Sequence, residues 1–327
     1  MTDGGKRVTR MSAGRVPDFF IAGNPRSGTT ALYRMLRQHP QIFMPDFKEP
    51  RFFAPDAQVR APDPKKPGVR PRTLEAYMAL FAGAQPGALA GDGSPQYLRS
   101  PHAAALIAAQ RPDARIIVIL REPTAYLRSF HTQSVQSMVE SERDFPKALA
   151  LEDARRAGRE LPPGVENAAW LMYSEHARYL EHLRRFEEHF PREQILVLIY
   201  DDYRAEGEET VRRVLRFLGV KETIPIESVL TAREARQGVR SPTLHRLTRA
   251  MRMARNHPER SNALMSKVGR LAPTSAIELW RRVVYKQAPQ PDAAFLRDLR
   301  RHLKPEVQAL GEHLGRDLVR LWGYEEI

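Results

Sequence analysis

The sequence predicts a single α/β domain with a central parallel sheet flanked by helices. Residues 19–22, 116–120 and 195–199 are short aliphatic or aromatic runs bounded by polar residues or turn formers, a pattern typical of strands buried on both faces. Each run is followed by sequence whose apolar residues recur three and four positions apart, as on an amphipathic helix. This alternation of strand and helix predicts a doubly wound sheet.

The helical spacing also gives bounds for the connecting helices. Gly219 stands where a helix C-cap would fall, after the last of these segments. The predicted helices cover residues 29–38, 124–140, 170–189 and 208–218.

Length and composition fit one folded domain. The chain has 327 residues, of which 42% are hydrophobic, and this is enough for a core without cross-links. It contains no cysteine, which excludes disulfides, thiolate catalysis and cysteine-ligated metals and fits a reducing compartment, so we expect a cytoplasmic location. No apolar run approaches the roughly 20 residues of a membrane-spanning helix, and we expect no membrane span.

Three segments stand apart from the strand and helix pattern. Residues 1–16 are basic and lack the apolar core of a signal peptide, so we expect a disordered leader before a domain at 17–327. Residues 54–72 are rich in proline and in basic residues, which predicts an exposed loop, either bordering a substrate site or without a role. Residues 232–275 are rich in arginine, and they predict either a lid over the ligand or a solvated helical face.

The charge of the chain favours anionic ligands. Its 52 lysine and arginine residues exceed its 39 aspartate and glutamate residues, for a net charge of +13. A nucleic acid, another polyanion or a phosphorylated small molecule would each fit this charge. The signature of a common RNA-binding module is absent, and zinc-finger spacing needs cysteine, so we expect no nucleic-acid partner.

A phosphate-binding turn follows the first predicted strand. The segment Gly23-Asn24-Pro25-Arg26-Ser27-Gly28-Thr29-Thr30 leads from that strand into a helix. Backbone N–H groups of Ser27, Gly28, Thr29 and Thr30 are therefore expected to point into one pocket, where the helix dipole favours an anion. The alternative is an ordinary strand-to-helix turn without a ligand.

The turn differs from the loop of nucleotide hydrolases. Thr29 occupies the position of the usual lysine, and the basic residue is Arg26, inside the loop. Without that lysine, and without a carboxylate placed to complete a magnesium site, a triphosphate hydrolase is disfavoured. The pattern predicts a single phosphate held without a metal.

The segment Pro25-Arg26-Ser27-Gly28-Thr29-Thr30 resembles the 5′-phosphosulfate loop of the P-loop-type sulfotransferases, which use 3′-phosphoadenosine 5′-phosphosulfate (PAPS). A second signature of that family is an arginine at a strand end and a serine eight residues later. Arg121 and Ser129 match it here, and the resemblance implies that they bind the 3′-phosphate. A guanidinium at the carboxyl end of a parallel strand is also well placed for a phosphate.

The catalytic residues are implied by a third segment. Lys48-Glu49-Pro50-Arg51-Phe52-Phe53 resembles a segment of the heparan-type and many bacterial sulfotransferases, and Glu49 would be the general base that deprotonates the acceptor hydroxyl. Fixed cations near the leaving phosphate would stabilise the transition state, with Arg26 first and Lys48 second. The alternative for Glu49 is a loop carboxylate paired with a neighbouring cation.

The family pattern leaves several residues open. The chain resembles the bacterial and heparan-sulfate-sulfotransferase-like branch, but in the segment 92–97 Gly93 replaces a lysine of the glycosaminoglycan enzymes, a departure that counts against a glycosaminoglycan acceptor without excluding sulfuryl transfer. His102 and His131 are the rival bases, and neither has an orienting partner in the sequence. Arg236 and Arg240 are candidates for a loop that closes over PAPS.

Three functions therefore remain at this point. The resemblance implies a metal-independent, PAPS-dependent sulfotransferase acting on a small-molecule, lipid or carbohydrate hydroxyl. A nucleotide-dependent phosphotransferase on the same fold would require Mg²⁺ with ATP or GTP. A non-catalytic polyanion-binding protein would show strongly salt-dependent affinity and no turnover.

Overall fold

The fold is described from a computed structural model that covers residues 14–57, 70–165, 167–227 and 291–327, together with the backbone of 237–239 and 285–287. Five parallel strands form the central sheet in the order β2-β3-β1-β4-β5. They are β1 (Phe19–Gly23), β2 (Ile42–Phe43), β3 (Leu89–Asp92), β4 (Arg115–Leu120) and β5 (Ile195–Ile199). The predicted parallel α/β sheet is thereby confirmed.

Helices cover both faces of this sheet. Among the described residues they are α1 (Thr29–Leu36), α2 (Leu74–Ala79), α3 (Ala103–Gln110), α4 (Pro123–Gln136), α5 (Phe145–Ala150), α6 (Glu152–Arg156), α7 (Tyr173–His176), α8 (Tyr179–Glu187), α9 (Tyr200–Ala205), α10 (Gly207–Leu218), α11 (Ala293–Leu314) and α12 (Leu318–Leu321). A two-stranded antiparallel sheet of β6 (Gln237–Val239) and β7 (Tyr285–Gln287) has its first strand beside α4.

The central strands are buried on both faces, which explains their unbroken apolar sequence. Phe20 and Ile116 belong to one hydrophobic cluster, and Phe19 and Ile117 belong to the cluster on the opposite face. Successive side chains of a strand point to opposite sides of the sheet, so a strand buried on both faces needs apolar residues at every position. The sheet therefore holds its carboxyl ends in fixed positions beside one another.

The predicted helix over residues 170–189 is wrong, because the chain breaks there into a 3₁₀ turn at Ala168–Leu171, α7 and α8. Two carboxylates from other helices bind N–H groups at the new helix starts. Glu152 accepts from the Ser174 N–H at 2.8 Å, and Glu306 accepts from the Leu180 N–H at 2.8 Å. Such partners satisfy N–H groups that a helix start leaves free, and they are invisible in local periodicity.

Two further differences concern element ends and small strands. The helix predicted to reach residue 140 ends at Gln136, and the chain turns at Met138, whose φ is 57°. Strands β2 and β3 were not predicted, because β2 has two residues and β3 contains a glycine. Gly91 is required there, since a Cβ at this position would lie 2.2 Å from the Phe19 ring.

The turn after α4 places a buried ion pair in the core. Glu140 and Arg155 have fully buried side chains and bond to each other at 2.8 Å, and the Tyr173 hydroxyl also donates to Glu140. Removing one member of such a pair leaves the other charge buried without compensation. The pair therefore ties the end of α4 to α6.

We expect Glu140→Gln to lower the free energy of unfolding by about 3–5 kcal/mol, because the Arg155 charge stays buried. Urea denaturation at pH 7 would measure it. Asp153→Asn, which alters an exposed pair with Arg156, is the matched control and should leave the urea midpoint unchanged. A midpoint for Glu140→Gln equal to that of the control would contradict this role.

Some predicted segments lie outside the described residues. These are positions 1–13 of the leader, 58–69 of the proline-rich loop and all of 232–275 except the backbone of 237–239. Over the ranges that the structure does cover, no helix has both the length and the apolar character needed to cross a membrane.

Candidate active site

The predicted phosphate-binding turn joins β1 to α1 at the carboxyl edge of the sheet. Gly23 has a φ of 137°, and a Cβ there would lie 2.5 Å from the Ile119 carbonyl of β4. Gly28 precedes α1 with a φ of 85°, and a Cβ there would lie 2.8 Å from the Tyr203 ring. Both positions thus require glycine, and the chain turns directly into the N-terminus of α1.

The turn contains an arginine in an unusual backbone conformation. Arg26 has a φ of 70° and an exposed side chain. The N–H of Ser27 donates to the Asn24 carbonyl at 3.2 Å, so it closes the turn and does not point into the pocket as predicted. The Ser27 hydroxyl, in contrast to the Ser27 N–H, is buried without a hydrogen-bond partner. A buried hydroxyl without a partner calls for an explanation, and an anion in the turn would supply one.

Arg121 lies beside this turn. Its guanidinium donates to the Arg26 carbonyl at 3.0 Å and lies 4.9 Å from the centre of the Tyr200 ring. The Tyr179 hydroxyl donates to the Arg121 carbonyl at 2.9 Å, which fixes the backbone at the end of β4. The two signatures, 95 residues apart, therefore meet at one site.

Ser129 lies within α4, the helix that follows Arg121. Its hydroxyl is buried and, like that of Ser27, has no hydrogen-bond partner. The start of α4 is fixed by Glu122, whose carboxylate accepts from the N–H groups of Thr124 and Ala125 and from the Tyr324 hydroxyl. Anchoring of the helix start fixes where the Ser129 hydroxyl can reach.

Glu49 lies in a loop with two strained residues, Glu49 itself with a φ of 60° and Arg51 with a φ of 55°. Strain of this kind is frequent at active sites. Its carboxylate accepts from the Lys48 ammonium at 2.6 Å, the Arg51 guanidinium at 2.6 Å and the Gln96 amide at 3.3 Å. The cation pairing considered as an alternative is therefore present, and it occurs in a side chain that is 27% exposed.

Two neighbouring cations, Lys48 and Arg51, keep the Glu49 carboxylate ionised. Burial acts to raise its pKa, but Lys48 and Arg51 outweigh burial and lower the pKa to about 2. The carboxylate is therefore ionised over the whole physiological range, and it is able to accept a proton once its cation contacts loosen.

A buried carboxylate, Asp92, lies at the carboxyl end of β3. It accepts from the hydroxyls of Tyr77 at 2.8 Å, Ser94 at 2.7 Å and Tyr97 at 2.7 Å. Ser94 in turn accepts from the Arg51 N–H at 3.0 Å, so this network supports the loop that carries Glu49. Burial raises the pKa of Asp92 to about 6, although the hydroxyl donors partly offset burial.

This raised pKa gives the stability a defined pH dependence. The folded protein holds the Asp92 proton up to about pH 6, whereas the unfolded chain releases it near pH 3.8. The stabilising effect is therefore fully present below pH 3.8 and is lost as the pH rises through 6, by about 3 kcal/mol. We expect Asp92→Asn to remove this loss, as measured by urea denaturation at pH 4 and pH 7. Equal pH slopes in the two proteins would contradict it.

The remaining predicted residues are the glycine at position 93, Lys48, two histidines and two arginines. A Cβ at Gly93 would lie 2.5 Å from the Tyr33 ring, so a lysine does not fit there, whereas the Lys48 ammonium lies 5.8 Å from the centre of the same ring. His131 is buried and bonds to the Glu142 carbonyl, and His102 is exposed at the start of α3. The candidates Arg236 and Arg240 lie outside the described residues.

The sheet order brings these groups to one edge. Neighbouring strands β3, β1 and β4 end at Asp92, at the phosphate-binding turn and at Arg121 respectively. Among the described residues, no group of three or more histidine, aspartate and glutamate side chains is arranged to hold a metal. The edge thus combines the glycine-containing turn before α1, the cations Arg121 and Lys48, and an ionised carboxylate, Glu49.

A comparison with known protein families agrees with this arrangement. The model of the sulfotransferase domain matches residues 16–239, which include the phosphate-binding turn, the Glu49 loop, Arg121 and Ser129. The chain belongs to the sulfotransferase family.

Curated relatives of this sulfotransferase act on carbohydrates according to their names. The chain is 28% identical over 210 residues to mouse heparan sulfate glucosamine 3-O-sulfotransferase 3A1, a match covering 64% of this chain and 47% of the relative. It is 25% identical over 276 residues to mouse carbohydrate sulfotransferase 15, covering 69% of this chain and 48% of the relative. The chain thus spans about half the length of these relatives.

A solved sulfotransferase structure supports the fold. The sulfotransferase from Alicyclobacillus acidocaldarius superposes with a TM-score of 0.66 at 24% identity, and the match covers 94% of this chain and 98% of that one. The similarity extends over nearly the whole of both chains, so the two proteins share the same α/β fold.

Sequence reasoning missed several residues around Glu49. Arg51 was recognised only as a neighbouring charge, although it bonds to Glu49 and, through its N–H, to Ser94. Trp170 and Arg99 come close to Arg51 in space but lie far from it in the sequence. No local pattern connects such residues, so only the fold reveals them.

Proposed function

We propose that this sulfotransferase moves a sulfuryl group from PAPS to the hydroxyl of an acceptor. The observation that carries the proposal is the contact between Arg121 and the Arg26 carbonyl, which unites the 5′-phosphosulfate turn and the 3′-phosphate signature. The family match supports the same reaction. Buried, unpartnered hydroxyls of Ser27 and Ser129 add two groups that fit phosphate oxygens.

In this proposal the chain holds PAPS at both of its phosphorylated ends. Arg26 and the turn from Ser27 to Thr30 bind the 5′-phosphosulfate, and Arg121 and Ser129 bind the 3′-phosphate. An arginine binds a phosphate through paired, charge-assisted hydrogen bonds, and a serine adds a hydroxyl donor. PAPS supplies the sulfuryl group, whose bond to the 5′-phosphate oxygen breaks as the acceptor oxygen bonds to sulfur.

Side chains of the site perform the proton transfer and stabilise the leaving group. Glu49 takes the proton of the acceptor hydroxyl as the general base, in an in-line displacement. Its contacts with Lys48 and Arg51 support this role, since they hold the carboxylate ionised and oriented. Arg26 and Lys48 stabilise the negative charge that develops on the leaving phosphate oxygen. Because these cations can neutralise that charge, the proposed transfer needs no metal.

Two other functions would also use a phosphate-binding turn, so they are compared with the proposed one. A nucleotide-dependent phosphotransferase would bind ATP through Mg²⁺, yet Thr29 stands where the lysine of such enzymes lies. A polyanion-binding protein would use the net charge of +13 but would leave Glu49 without a role.

Transfer from PAPS labelled with sulfur-35 tests the proposed reaction. The protein is incubated with a panel of hydroxyl acceptors, with and without EDTA, and each product is separated from the donor. We expect label on at least one acceptor, unaffected by EDTA and formed about 10²–10⁴-fold more slowly with Glu49→Gln. Transfer that is equally fast with Glu49→Gln would overturn the role of the base.

A further inference from the structure

Glu49 is bordered by a group of arginines, of which the proposed reaction uses only the contact between Arg51 and Glu49. Arg51 and Arg99 place their guanidinium carbons 5.8 Å and 4.5 Å from the centre of the Trp170 ring. Arg70 is close enough to Arg51 and Glu49 to interact with both charges. We call Arg51, Arg70 and Arg99 the arginine cluster.

The positive charge of this cluster is poorly compensated. Arg51 pairs with Glu49, but within the described part of the chain neither Arg70 nor Arg99 forms an ion pair with a carboxylate. Burial and the charge of Arg51 lower the pKa of Arg70 to about 10 and also lower that of Arg99. Like charges are thus held close together in a partly buried region, which is unfavourable without an anion.

The nearby carboxylates are engaged elsewhere. Asp56 acts on Arg99 only at longer range, and its carboxylate accepts from the Ser100 hydroxyl. Glu175, which also acts on Arg99, pairs with Arg156 at 3.4 Å. Neither residue therefore neutralises the cluster.

The ring under the cluster is firmly held. Trp170 is 7% exposed, and its carbonyl accepts from His176 Nε2 at 3.1 Å. His176 Nδ1 accepts from the Tyr126 hydroxyl at 3.0 Å, and Tyr126 also bonds to Asn24 of the phosphate-binding turn. This chain of hydrogen bonds links the Trp170 backbone to the phosphate-binding turn.

Polar atoms of Arg51, Arg99, Trp170 and of Gln96 beside Glu49 lack partners. The N–H groups Arg51 Nε, Arg99 Nε and Trp170 Nε1 are buried and make no hydrogen bond, and the same holds for the acceptor Gln96 Oε1. Such atoms are rare in folded proteins and call for an explanation, and a bound anionic ligand would supply one. Three donors with one acceptor match an anionic group that neighbours a hydroxyl.

We propose that the arginine cluster on Trp170 is an acceptor subsite that binds a carboxylate or sulfate carried by the hydroxyl substrate. The inference rests on the proposed function, because Glu49 marks where the reacting hydroxyl must lie. The anionic group lies on the arginine side of Glu49, and the hydroxyl lies on the PAPS side.

The subsite has a consequence for the base. Arg51 is shared between Glu49 and the cluster, so an anion bound to Arg51 competes with Glu49 for the same guanidinium. Binding of the correct acceptor therefore loosens one of the two cation contacts that suppress the basicity of Glu49. Neutral alcohols leave that contact intact and are poorer substrates.

Inorganic anions test the subsite without knowledge of the acceptor. The protein is first saturated with 3′-phosphoadenosine 5′-phosphate (PAP) and is then titrated with sodium sulfate or sodium acetate at constant ionic strength. Tryptophan fluorescence reports binding, and Trp170→Phe shows whether the signal arises at this ring. Comparison of the sulfate and acetate titrations shows which of the two anions binds more tightly.

We expect millimolar binding of at least one anion, weakened about tenfold or more in Arg99→Gln and in Arg70→Gln. Arg213→Gln removes one exposed charge from α10 and should change the affinity less than twofold. The absence of saturable binding, or equal loss in the Arg213→Gln control, would overturn the subsite. Calorimetric titration of PAP is recorded separately, so failure of the PAPS site is distinguishable from failure of the subsite.

Discussion

Glu49→Gln is expected to lower the kcat of sulfuryl transfer by about 10²–10⁴-fold, the usual contribution of a general base. The amide keeps the size of the side chain but cannot take the acceptor proton. PAP affinity should change little, because Glu49 lies on the acceptor side of the site. Asp46→Asn, which removes an exposed carboxylate from the same loop region, is the matched control and should retain full activity.

The pH profile provides a second readout of the same role. Because the Glu49 pKa is about 2, kcat/KM should show no acid limb from this group above about pH 4. An acid limb near pH 6 that disappears in Glu49→Gln would contradict the ion pairing of Glu49 with Lys48 and Arg51.

Arg121→Ala is expected to weaken PAP binding by about 10–100-fold, because charge-assisted hydrogen bonds contribute roughly 1.5–3 kcal/mol. The guanidinium also supports the turn through the Arg26 carbonyl, so its loss affects both phosphate sites. Calorimetry with PAP measures the change. Arg213→Ala, an exposed arginine on α10, should bind PAP as the unaltered protein does, and equal affinity of Arg121→Ala would contradict the assignment.

The fold was predictable where burial imposes a simple pattern. The three predicted strands agree with β1, β4 and β5 to within one residue at each end, because a strand covered on both faces must be apolar throughout. The helix predicted over 170–189 failed because Glu152 and Glu306 bind N–H groups at interruptions that periodicity does not reveal.

Some residues of the candidate site were predictable from local sequence, and others were not. Arg26, Glu49 and Arg121 lie in short segments with local signatures, and the structure places Arg121 against the turn and Glu49 against its cations. The balance between burial and cations at Glu49 needed distances, because the sequence allowed a shift of its pKa in either direction. Trp170 and Arg99, each in a turn, come together only in the folded structure.

The central claim is that the site binds PAPS. Calorimetric titration with PAP, compared with ATP plus Mg²⁺ and with 5′-AMP, tests it most directly. We expect micromolar affinity for PAP, about 8 kcal/mol, and binding of both controls at least a hundredfold weaker. Equal or tighter binding of ATP with Mg²⁺ would contradict it and would favour the phosphotransferase.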